Sequence, residues 1–166
     1  LDLVNPQSFR AFILDEFEDS RIPLWSLNWE VPLGETWTGQ FLFIPDQTYN
    51  ELPSAGAVFE ITSPELVPQP PPGVPVRLAE PDTPDRVFAD ADAGAQFSAY
   101  LGGWDVTVNY LYHYFDTPAV FIEQGPGGVV ATPEFRRTHT AGGTLSNAFG
   151  DFTVRGEVGY SSDRFF

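Results

Sequence analysis

The side chains best placed for proton transfer near neutral pH are the two histidines, His113 and His139. A histidine base needs a Ser or Asp partner at a defined site, and the sequence assigns no such partner to either. His113 lies on the polar side of an alternating run, which suits a polar residue lining an interior. The face of His139 stays open. Asp90-Ala91-Asp92-Ala93-Gly94, with Asp82 and Asp85 upstream, offers the oxygen ligands calcium prefers. An EF-hand loop needs further ligands at fixed spacing and a terminal Glu, which are missing. A solvated acidic loop accounts for these residues, with a weak surface cation site as the rival. Gly125-Pro126-Gly127-Gly128 is no phosphate loop, because no GK[ST] follows it. No catalytic residue, cofactor or metal ligand is therefore assigned, and enzymatic activity is not expected.

Composition narrows the class. The formal charge is −15, and every basic residue is Arg. Such acidity excludes the basic footprint that nucleic-acid binding requires. Aromatics reach 15% while charged residues are only 19%. A disordered acidic chain would be poor in aromatics, so a folded structure is expected. Cys is absent, which excludes disulfides and thiolate metal sites. No run approaches the roughly 18 apolar residues of a membrane-spanning helix. Met is absent and Leu1 is not a start residue, so the chain reads as an excised fragment.

The elements that would position the polar side chains follow from periodicity. Residues 1–24 read as a helix and loop: Asn5 as cap, Pro6 in the first turn, then Phe9, Phe12, Ile13 and Phe17 at helical spacing. From Trp25 the period becomes two. Residues 25–45 form a hairpin, with Trp25, Leu27, Trp29 and Val31 on one face and Asn28 and Glu30 on the other. Residues 46–89 hold nine prolines and no sustained period, so they read as a long loop. Residues 90–115 form a second hairpin around Gly102-Gly103, with Val106, Val108 and Tyr110 opposite Asp105, Thr107, Asn109 and His113. A second loop, 116–133, precedes a third hairpin at 134–161, where Val154 and Val158 alternate with Arg155 and Glu157.

Six strands thus alternate between short turns and long loops, and the middle pair are about ten residues long, enough to cross a bilayer when tilted. Trp37, Trp104 and Phe152 follow the short turns as an aromatic girdle would. The expected fold is all-β, a segment of an antiparallel up-and-down transmembrane β-barrel with short periplasmic turns and long extracellular loops. A soluble β-sandwich or lipocalin-like barrel is the rival. Single-chain bacterial barrels start at eight strands, so the missing strands are expected outside these six. Asn28, Glu30, Asp105, Thr107, Asn109, His113, Arg155 and Glu157 then face the lumen. There the charged members either tune a pore or form an ion-pair network that stiffens the interior.

The segment Leu1–Leu24, LDLVNPQSFRAFILDEFEDSRIPL, with the IPDQTY stretch at Ile44–Tyr49, resembles a family of large outer-membrane barrels of proteobacteria defined only as a domain of unknown function. In that family a D-x-x-N-P stretch and an acidic S-R-I-P-L stretch precede a transmembrane hairpin. The likeness is specific over about the first fifty residues and generically barrel-like beyond them, and members are much longer. It implies a location in the bacterial outer membrane, with lipid as partner, and carries over no catalytic residue. The functional expectation is a porin-like pore for a small solute. A surface scaffold, adhesin or receptor acting through the Pro-rich loop is the alternative, and a barrel hydrolase is a weaker third.

Overall fold

The computed structural model describes residues 5–11, 19–51, 53, 56–60, 75–79, 83–125 and 128–163. Among these the chain is all-β, with no helix. Its strands are β1 (Leu27–Leu33), β2 (Trp37–Ile44), β3 (Val76–Leu78), β4 (Asp92–Leu101), β5 (Trp104–Tyr114), β6 (Ala119–Gly125), β7 (Gly128–Glu134), β8 (Arg137–Phe149) and β9 (Phe152–Ser161). They fall into two compact units. One comprises Trp25–Gln47, Asp85–Phe115 and Arg136–Phe166; the other comprises Leu1–Leu24, Thr48–Pro84 and Asp116–Phe135.

The first unit is a six-stranded sheet in the order β1-β2-β4-β5-β8-β9, with every neighbouring pair antiparallel. The sheet is open: among the described residues β1 and β9 have one neighbour each, and they run in opposite directions. Its three hairpins form where turn chemistry allows. Leu101 pairs with Trp104, leaving Gly102 (φ 57°) and Gly103 (φ 92°) as the central residues of a two-residue turn. Positive φ at both positions is the type I′ pattern, whose twist matches that of the flanking strands, and glycine adopts it without steric cost. The six strands and three turns expected from alternation are all present. The third hairpin begins at Arg137 rather than at residue 134, because Glu134 closes β7.

The second unit contains a three-stranded sheet in the order β3-β7-β6. β6 and β7 form an antiparallel hairpin and β3 joins β7 in parallel. This corrects the reading of 46–89 and 116–133 as loops. The apolar runs Val120-Phe121-Ile122 and Val129-Val130-Ala131 are short but strand-forming, and they pair with one another. Pro133 is tolerated because it lies beyond Ala131, the last residue β3 matches. The helix expected near the start is also corrected where it can be seen. Gln7 bridges Arg21 and Ser8 bridges Glu51, so the chain after Asn5 and Pro6 is extended. The rest of that helix, with Phe12, Ile13 and Phe17, lies outside the described residues.

Candidate functional site

The polar face of the six-stranded sheet gathers the residues singled out above. Register partners share a face, because side chains alternate along each strand. Glu30 pairs with Gln40, which leads through Gln96 to Asn109. Asn28 leads through Leu42 and Gly94 to Leu111. Thr107 pairs with Thr144 and so reaches Glu157, while Asp105 pairs with Ser146 and so reaches Arg155. His113 pairs with Thr138. All eight expected side chains therefore lie on one face, spread over β1, β5 and β9. They do not form a compact cluster. The Gln40 amide donates to Asn28 at 3.1 Å. Among the described residues none of Glu30, Asp105, Arg155 and Glu157 is in an ion pair.

The opposite face is apolar and largely uncovered. Trp29, Phe41, Phe97, Val108, Tyr110, Val158 and Tyr160 share it through the same registers. Trp29 is 64% exposed, Val158 72% and Phe152 77%, whereas the buried apolar side chains among the described residues include only Pro6, Ile44, Ala91, Ala99 and Ala131. Val106, Val108 and Tyr110 fall on this face and Thr107 and Asn109 on the other. His139 pairs with Tyr112, which places it on the apolar face and settles a position that alternation left open. Its Nδ1 is 2.6 Å from the Tyr110 hydroxyl, and its ring lies 4.8 Å from that of Tyr112.

The hairpins are staggered. The row through Leu33 and Trp37, the residues flanking the first turn, continues through Ala99, Val106, Leu145 and Gly156. The second hairpin extends past that row by two residues, to Leu101 and Trp104, and the third by four, to Phe149 and Phe152. Each short turn is thus displaced by two residues from the one before. Counted from the turns, aromatics recur at one interval on β5 and β9: Trp104 to Tyr112 and Phe152 to Tyr160 are each eight residues apart.

At the end of the sheet opposite the short turns, a network missed in the sequence fastens β4, β5 and β8. Asp90 is buried, and the Arg86 fork donates to its two oxygens at 3.0 and 2.8 Å. The Arg86 amide and the Tyr114 hydroxyl complete its partners. The Arg86 hydrogen bonds hold the Asp90 carboxyl well below the usual carboxylate range, against the opposing effect of burial. Arg137 lies over the rings of Tyr112 and Tyr114, at 4.6 and 4.1 Å, and donates to the Ala91 and Ala89 carbonyls and to Asp92. Asp90 and Asp92 are thus engaged by arginines, which accounts for them without a cation. Asp82, the outermost member of the acidic set, lies outside the described residues. The usable signal was the pairing of Asp-x-Asp with Tyr112, Tyr114 and Arg137, whose proximity emerges only once the register is known.

His113 sits in the same region, buried on the polar face. Its Nδ1 lies 2.8 Å from the Tyr114 carbonyl, which can only accept, so that nitrogen carries the proton. In the neutral ring Nε2 then accepts from the Thr140 hydroxyl at 3.1 Å. Thr140 and Thr138 both approach Ser161, and the Thr138 hydroxyl donates to the Ser162 carbonyl. This hydroxyl chain joins β5, β8 and β9. Comparison with protein-family models, with curated proteins and with solved structures finds no match.

Proposed function

We propose that the six-stranded sheet is part of an outer-membrane β-barrel that forms a pore for small solutes. On this reading lipid covers the apolar face, the polar face lines the lumen, and further strands complete the ring. The carrying observation is the exposed apolar face, bounded on β5 and β9 by aromatics eight residues apart. A face of that size left to water would be an aggregation site, whereas lipid covers it without cost. The stagger agrees. One residue of displacement per strand, at ~3.4 Å rise and ~4.8 Å strand spacing, tilts the strands about 35° when the turns share one plane. Eight residues at that tilt span about 22 Å, close to the apolar band of an outer-membrane barrel. Membership of the uncharacterised barrel family resembled by the first fifty residues belongs to the same proposal, and no enzymatic activity is part of it.

One observation favours a second reading, a surface scaffold or receptor: the long segments carry a sheet of their own, β3-β7-β6. Lipid exposure separates the barrel from any soluble sheet. Single cysteines at positions 106, 107, 108 and 109 of the full-length protein in vesicles are probed with a membrane-impermeant thiol reagent. Labelling at 107 and 109, with protection at 106 and 108, is expected. Strong labelling at 106 and 108 would refute the membrane reading.

A further inference from the structure

We infer that the polar face selects small cations over anions. The inference rests on the pore reading and names the class of solute.

Three carboxylates on that face, Glu30, Asp105 and Glu157, stand in no ion pair among the described residues, and the cation sharing the face with them is Arg155. All four side chains are exposed. Their register partners are Gln40, Tyr100, Thr144 and Ser146, which offer hydrogen bonds and no charge. The negative excess on the face is therefore left for mobile ions to balance. A wall of one sign next to low-dielectric protein concentrates counter-ions and repels ions of its own sign. Rings of Asp and Glu are the usual means by which a pore admits cations.

The short turns have the same sign. Two of the short turns carry Glu35 and Asp151 and no basic residue. By sequence, the segments Leu1–Leu24, Thr48–Pro84 and Asp116–Phe135 hold thirteen Asp and Glu against three Arg. Lys is absent from the whole chain. Near the end of the sheet opposite the short turns, Arg86 and Arg137 are taken up by Asp90 and Asp92, so neither offers an open anion site. Anions thus meet the same repulsion at the turns and along the polar face.

The test is the reversal potential of the full-length protein in planar bilayers across a KCl gradient. The expected sign is that of K⁺ permeating in preference to Cl⁻. Neutralising the three carboxylates together (Glu30→Gln, Asp105→Asn, Glu157→Gln) should remove most of that preference, and Arg155→Gln should increase it. A conducting pore that prefers Cl⁻ or neither ion overturns the inference and leaves the pore reading intact. So does an undiminished K⁺ preference in the triple variant. A correctly folded, membrane-inserted protein that never conducts overturns both.

Discussion

Placing arginine at successive depths along β5 tests the membrane geometry quantitatively. Val108 is four residues from Trp104 and four from Tyr112, so it lies midway between the two aromatic levels, about 11 Å from each. An arginine on the lipid face of a barrel costs about 2–4 kcal/mol at the midplane and about 0–1 near the interfaces. Val108→Arg should therefore shift the folding equilibrium roughly 30- to 700-fold. Val106→Arg, two residues nearer the turn, should cost less. Thr107→Arg, between them on the opposite face, should change stability by no more than about 0.5 kcal/mol. The assay is guanidinium unfolding of the full-length protein in phospholipid vesicles, followed by tryptophan fluorescence. In a water-exposed sheet the outcome differs, because Val108 is already 48% exposed and arginine there would cost little. Equal costs at 107 and 108, or none at 108, would refute the assignment of faces to lipid and lumen.

Two further substitutions probe the sheet's ends. Asp90→Asn removes the negative charge and one of the two oxygens that accept from the Arg86 fork. Folding lowers the Asp90 pKa from its ordinary 3.8, so the stability it contributes is present above that value and lost as pH falls towards the folded one. The stability gap between wild type and Asp90→Asn should be widest near neutrality and narrow below about pH 4, and a gap constant down to about pH 2 contradicts the pairing. Gly102→Ala meets no atom within 4 Å, so its cost, about 1 kcal/mol, comes from positive φ alone. Gly102→Asn should recover most of that loss in the same unfolding assay, and equal losses for Ala and Asn would show that the turn does not govern the effect.

The six-stranded sheet was legible because its two faces, one apolar and one polar, take alternate residues. Val106-Thr107-Val108-Asn109 records that alternation without ambiguity. β8 was legible as a strand but not in its facing: His139 and Asn147 lie on its apolar face, and Gly142 and Ala148 on its polar one. Small residues there satisfy both environments and so carry little facing information. β6 and β7 were missed because prolines and glycines surround apolar runs only three residues long, too short for a period to register. Parallel pairing of β3 with β7 is non-local, and no pattern within either segment encodes it. The polar face was recovered residue by residue, since facing follows from alternation alone. The Arg86–Asp90 fork and the seat of Arg137 over Tyr112 and Tyr114 were not, because they depend on register.

The opposite directions of β1 and β9 impose a parity rule. β1 runs towards the short turns and β9 away from them, so the two outer strands are antiparallel to one another. An all-antiparallel ring through this sheet can be closed only by an even number of additional strands. One lone strand, whether an inserted peptide or a lent segment, would run parallel to one of the two edges. Whole hairpins, or another even-stranded sheet, meet the rule.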